Sequence, residues 1–326
     1  MITLILITLL ILAVFTLQKN FPTKNFVAIP FQYSENKSES ITNETISTYN
    51  TYEYKIYNVT LKITHPLLFK NIRWAKMPIF VKIDNNTCIE SRRDDIRYAM
   101  LLWGIETDGV VQFKESENNY QVFINCSKEL WQTREGDLIV TKLGEGGPTK
   151  IIPLDYFNLT IEASATIYST TKECSRPIRI LHELGHVLGL DHVEDEKSIM
   201  YPYEDCNQGF TREIKETLKE LYKIKAMPDL YFKNATASSS KIYLNISFEI
   251  VNAGILSSPP AEIDIFGDNV RIDRKIIEGL EPGEELNVWI QNIYLGKELN
   301  NITLIIDPNN FIEEISKENN KLILIS

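Results

Sequence analysis

"HELGHVLGLDH", residues 182–192, gathers three of the chain's four histidines into one short stretch. Upstream, the apolar stripe Ile178, Leu181, Leu184 and Leu188 predicts a helix, with Ser175 as its cap, Pro177 in its first turn and Gly189 at its end. On such a helix His182 and His186 stand about one turn apart and share a face, a spacing suited to holding one metal ion. Glu183 lies near that face, where a carboxylate can serve as a base. Gly189 lets the chain leave the helix and turn back, delivering His192 as a third ligand. Three neutral imidazoles with one open position describe a catalytic zinc site, because structural sites close with a fourth protein ligand.

Around this stretch, residues 52–227 read as one mixed α and β domain. "YEYKIYNVTLKIT" and "MPIFVKI" alternate as strands, and "SRRDDIRYAMLLWG" reads as a helix over residues 91–103. In that helix Ser91 is the expected cap, Ile96, Ala99, Met100 and Trp103 form the apolar face, and Gly104 ends it. "GVVQFKE", "YQVFINC" and "DLIVTKL" follow as strands, and "TIEASATIYS" is expected to be an edge strand. A third helix, "TREIKETLKELYKIK", starts at Thr211 and stops before Pro228. Beyond it helical patterns vanish. Residues 228–326 alternate in short runs, from "KIYLNISFEIVN" to "KLILIS", separated by turn signals such as "EPGEE" and "DPNN". They predict a β-sandwich. The fold class expected is therefore α+β, a mixed sheet with three helices followed by an all-β sandwich.

The chain has 326 residues, 44% of them hydrophobic and 24% charged, which suits folded domains rather than a disordered chain. Its formal net charge of -10 argues against a general nucleic-acid binder, since no basic stripe is present to neutralise phosphates. Residues 1–18 open with an apolar run from Ile2 to Leu17, a signal peptide or a short membrane anchor. No basic residue precedes that run and no small-x-small site follows it, which favours the anchor. Residues 19–51, polar through "SENKSESITNETISTYN", read as a stalk. Sequons at Asn36, Asn43, Asn58, Asn85, Asn125, Asn158, Asn234, Asn245 and Asn301 point to an exported glycoprotein at the cell surface, or secreted if the leader is cleaved. Four cysteines in an exported chain suggest two disulfides, with three connectivities open. The expected pairs are Cys88 with Cys126 and Cys174 with Cys206, the second flanking the histidines.

"HELGHVLGLDH" resembles the HExxHxxGxxH signature of the metzincin zinc endopeptidases, and "SIMYP" at residues 198–202 resembles their Met-turn, with Met200 as the supporting methionine. "GLDH", "MYP" and "RWAKMPIFVKI" followed by helix 91–103 are most similar to the matrixins, the matrix-metalloproteinase-like group. The resemblance implies an endopeptidase with one catalytic Zn2+ on His182, His186 and His192. A zinc-activated water attacks the peptide bond, with Glu183 as general base. It also implies an extended protein or peptide substrate along the edge strand, a side-chain preference set by residues 201–210, and Ca2+ as a further candidate ion. The chain departs from matrixins in three ways. Val193 stands where they have Ser or Thr, and no cysteine precedes Cys88 to enforce latency. Only His65 remains for a second zinc site, so none is expected. Pro202 stands where some metzincins supply a tyrosine ligand. "PDLYF", "IVNAG", "LEPGEE" and "IDPNNFIEEISKENN" resemble the CARDB-type immunoglobulin-like domain over residues 228–326.

A non-catalytic surface adhesion or assembly protein that binds zinc is the alternative, and the intact Glu183 weighs against it. His65 beside Pro66 reads as a surface or turn residue, and Trp74, Trp103, Trp131 and Trp289 as packing. The membrane enters as a partner only through an uncleaved leader. Oligomeric state is not legible.

Overall fold

The computed structural model describes residues 24–28, 52–56, 59–128, 131–135, 138–142, 144–168, 174–240 and 242–326. The leader, most of the stalk and the sequons at Asn36, Asn43 and Asn58 lie outside them. Among the described residues no helix is long and apolar enough to cross a membrane. The chain forms two compact units: residues 34–226, and residues 227–326 joined by the N-terminal segment up to Tyr33.

The strands in chain order are β1 (Lys24–Ala28), β2 (Tyr52–Ile56), β3 (Val59–Ile63), β4 (Ile72–Trp74), β5 (Ile79–Ile83), β6 (Phe113–Glu115), β7 (Val122–Ser127), β8 (Trp131–Glu135), β9 (Leu138–Lys142), β10 (Gly144–Pro153) and β11 (Asn158–Tyr168). They continue with β12 (Leu230–Ser239), β13 (Tyr243–Asn252), β14 (Ala261–Gly267), β15 (Val270–Ile277), β16 (Glu285–Tyr294), β17 (Asn301–Ile306) and β18 (Lys321–Ile325). Three helices are described: α1 (Glu90–Glu106), α2 (Ile178–Val187) and α3 (Arg212–Leu221).

In the first unit the main sheet runs β10-β11-β7-β5-β6, with β4 paired to β11. β11 is parallel to β4 and β7, and β5 is parallel to β6 and β7. β10 alone runs antiparallel, at the sheet's edge. This corrects the sequence expectation. "TIEASATIY" belongs to β11, which has neighbours on both sides, and among the described residues the sheet edge next to it is "GEGGPTKIIP". α1 buries Ile96, Ala99, Met100 and Trp103 as its period predicts, but it begins at Glu90 after Ile89, with no side-chain cap from Ser91, and runs past Gly104 to Glu106. α2 has Pro177 as its N-cap, with no side-chain cap, so Ser175 does not cap it. Tertiary packing on a nearly all-buried helix replaces the missing cap. Thr211 caps α3 by accepting from the Ile214 amide. Cys88 is bonded to Cys126, and Cys174 to Cys206.

The second unit is an antiparallel β-sandwich whose strands follow one path, β15-β14-β17-β18-β1-β12-β13-β16. Its core gathers Phe232, Ile246, Phe248, Ile263, Ile265, Leu304 and Leu324. Alternation along β13 and β17 places Ile246, Phe248 and Leu304 inward. Trp289, expected to pack, is instead 70% exposed. The stretch read as a stalk contributes β1, whose Phe26 is buried in this core.

Candidate metal centre

α2 presents His182 and His186 from one face, and Gly189, at φ +90°, turns the chain so that His192 meets them. The Nε2 atoms of His182 and His186 lie 3.0 Å apart, and both lie within 3.2 Å of His192 Nε2. His182 Nδ1 is 2.6 Å from the Ile199 carbonyl, and His186 Nδ1 is 2.8 Å from the Leu190 carbonyl. A carbonyl only accepts, so both Nδ1 atoms carry the proton and both Nε2 atoms turn a lone pair towards the other. No hydrogen bond can relieve that approach; a cation among the three nitrogens does. Tetrahedral coordination with Zn–N bonds of about 2.0 Å separates nitrogens by about 3.3 Å, close to the spacing here. The set could therefore hold one metal ion.

Burial, above all, keeps these imidazoles neutral: it lowers His182 to about 3 and His186 to about 4, and lowers His192 as well. Neutral imidazole is the form that ligates. The helix that carries His182 and His186 is fixed from several sides. Trp103 Nε1 donates to the Leu181 carbonyl and Trp74 Nε1 to that of Val187. Met200, fully buried, fills the space beside Gly185, where a Cβ would strike its sulfur. Its carbonyl accepts from Val193 N at 3.1 Å, joining the turn at Met200 to the residue after His192.

Glu183 is 5% exposed, beneath β10. The β10 backbone comes so close that a Cβ on Gly144 would sit 2.5 Å from Glu183 Cδ, and one on Gly146 would sit 2.5 Å from the Glu183 carbonyl oxygen. These glycines escaped the sequence reading, although the "GEGG" run was its visible signal. His65 is also repositioned: it is fully buried, not a surface residue, and its Nε2 lies 3.0 Å from the Asp191 carbonyl, next to His192. Burial lowers its pKa to about 4, so it is a neutral donor steadying the His192 loop. Arg179, one turn before His182, is a further residue the sequence reading passed over. Its guanidinium donates to Glu204 at 2.6 Å and to the Tyr168 carbonyl at 2.8 Å, holding the loop that Cys206 ties to Cys174.

The match of residues 73–223 to the Matrixin family model supports a metallopeptidase-like domain around the three converging imidazoles. Residues 227–323 match the CARDB model, so a matrixin domain is followed by a CARDB β-sandwich. Among solved structures, a domain of a Methanosarcina acetivorans cell surface protein is 21% identical, covering 31% of this chain and 91% of its own, at a TM-score of 0.27. The CARDB domain of a Pyrococcus furiosus protein, solved with di-metal ions, is 15% identical, covering 31% and 88%, at a TM-score of 0.24. No curated protein matches the chain.

Proposed function

We propose that the chain is a zinc-dependent endopeptidase working outside the cytoplasm, with His182, His186 and His192 as ligands and Glu183 as general base. The domains that carry this are residues 52–227 for catalysis and 228–326 as a non-catalytic module, with residues 1–18 as leader or anchor. The observation that carries the reading is the edge of β10, unpaired on its outer side among the described residues, lying directly over Glu183 on the helix that carries His182 and His186.

An extended peptide adds to β10 as a further antiparallel strand, since an edge leaves main-chain donors and acceptors for it. That brings a peptide bond to the Glu183 carboxylate. Zinc, when bound, supplies Lewis acidity for the peptide carbonyl and the attacking water. Glu183 accepts a proton from that water and hands it to the leaving amine nitrogen. The Ile199 and Leu190 carbonyls hold two imidazoles in the ligating tautomer throughout. Burial of Glu183 keeps its carboxylate on a short leash, and a positioned base contributes on the order of 10²–10⁴ in rate.

The test is proteolysis of an unfolded protein by the full chain beside Glu183→Ala, with zinc content measured for both. Cleavage by the parent, lost in a variant that keeps one zinc per chain, supports the endopeptidase. Zinc in both and cleavage in neither supports a surface protein that binds zinc without cutting.

A further inference from the structure

β1 is the one strand of the C-terminal sandwich that comes from the far side of the protease unit in sequence, with residues 34–226 intervening. It is not an ornament on an edge. It pairs with β12 through Lys24↔Ser239, Asn25↔Ser238, Phe26↔Ala237 and Val27↔Thr236, and with β18 through Val27↔Ile325 and Ala28↔Leu324. Without it the path separates into β15-β14-β17-β18 and β12-β13-β16, leaving β18 and β12 as facing edges. Phe26, 2% exposed, enters the core from this strand, while its neighbour Val27 is 70% exposed. Lys24 Nζ donates to the Leu299 carbonyl at 2.8 Å, beyond the strand's start.

We propose that the C-terminal unit is a strand-accepting clasp, with residues 24–28 of the same chain as its occupant. The clasp couples the leader to the C-terminal unit without relying on the peptide bonds that follow Ala28. Main-chain pairing on both sides holds the strand and the Phe26 ring gives it its register, the recognition mode of an inserted β-strand. The consequence concerns the polar stretch "SENKSESITNETISTYN", whose composition is that of segments where proteolysis concentrates. A cut there severs the chain between leader and protease, yet the leader fragment stays on the molecule. The proposal stands apart from the zinc chemistry and does not depend on it.

The experiment uses the full chain in detergent, carrying Glu183→Ala to prevent self-cleavage and a site-specific protease sequence inserted between Tyr33 and Ser34. After complete cutting, the N-terminal fragment is expected to co-elute with residues 34–326 in size exclusion and to separate only in denaturant. Val27→Asp, on the exposed side, retains it. Phe26→Asp loses it, together with the amide-exchange protection of Thr236–Ser239. Should Phe26→Asp also unprotect Leu244–Ile250, the milder Phe26→Ala takes its place, with partial loss expected. Release from the cut parent overturns the proposal. So does retention by every Phe26 variant, which assigns the association to the apolar leader and the micelle. Co-purification of differently tagged intact copies overturns the same-chain occupant in favour of a strand from a second copy.

Discussion

Replacing Gly144 by alanine should separate the proposed catalysis from folding at this site. The added methyl would lie 2.5 Å from Glu183 Cδ and 2.6 Å from Cγ, where non-bonded carbons prefer about 3.5–4.0 Å. About 1 Å must be surrendered, and the least costly way is rotation of the Glu183 side chain, because its far end is the flexible partner. A base displaced by about 1 Å costs on the order of 10² in rate. Gly146→Ala meets a different neighbour: the Glu183 carbonyl oxygen at 2.5 Å, with its carbon and Cα at 3.1 Å. Backbone inside a helix cannot rotate aside, so β10 must lift from α2, at about 1–3 kcal/mol for an overpacked contact. For a unit of this size that is about 2–12 °C in Tm.

The pair is assayed by kcat/KM on an unfolded substrate, zinc content and thermal unfolding. Gly144→Ala should lose about 100-fold in kcat/KM with zinc content unchanged and Tm nearly so, whereas Gly146→Ala should lose Tm first. Any stability cost of Gly144→Ala should vanish in a Glu183→Ala background, since the crowded atoms are gone. Parent-level activity in Gly144→Ala, or a loss traced wholly to missing zinc, refutes the reasoning.

Arg179→Met should destabilise the first unit by about 3–5 kcal/mol, because it leaves Glu204 buried without its guanidinium; Arg179→Met with Glu204→Leu should recover much of that, by denaturant unfolding. Gly185→Ala should force Met200 from beneath the ligand helix, lowering both Tm and zinc affinity in a chelator titration, while Gly185→Ala with Met200→Ala restores part of each. Burial raises Glu314 to about 7 from its ordinary 4.5, so the folded state binds the extra proton between those values. Its contribution is therefore full below pH 4.5 and lost as pH rises through 7, about 3 kcal/mol in the C-terminal unit. Amide exchange of β12–β18 from pH 5 to 8 should show that loss in the parent and a flatter profile in Glu314→Gln.

Period and punctuation made much of this legible. The faces of α1 and α2 follow from 3.6-residue spacing, and the strands of the sandwich from alternation with Asn, Gly and Pro between them. The histidine spacing singled out residues that the fold brings within 3.2 Å of each other. What stayed hidden has one physical cause, context supplied by distant chain. "GEGGPTKIIP" has poor strand propensity and becomes β10 because β11 pairs with it. β1 is five residues long, too short for alternation to announce, and exists through partners more than 200 positions away. His65 carries no local sign of burial; α3, through Thr217 Oγ1 on its backbone amide, and the Asp191 carbonyl enclose it.

The glycines explain why the motif alone underdetermines the site. HExxH places two imidazoles and a carboxylate on one turn of helix, but any amphipathic helix can do that. Here the turn is gripped from two directions at van der Waals range, by Met200 against Gly185 and by the β10 backbone at Gly144 and Gly146 against Glu183. A side chain at any of the three positions would have to displace either the methionine, the carboxylate or the edge strand β10. The absences of a Cβ at Gly144 and Gly146 therefore set one relation, the distance between the proposed base and the edge on which a peptide would lie. That distance, rather than the presence of Glu183, is what the proposed chemistry requires, since a base acts only within hydrogen-bond reach of its proton.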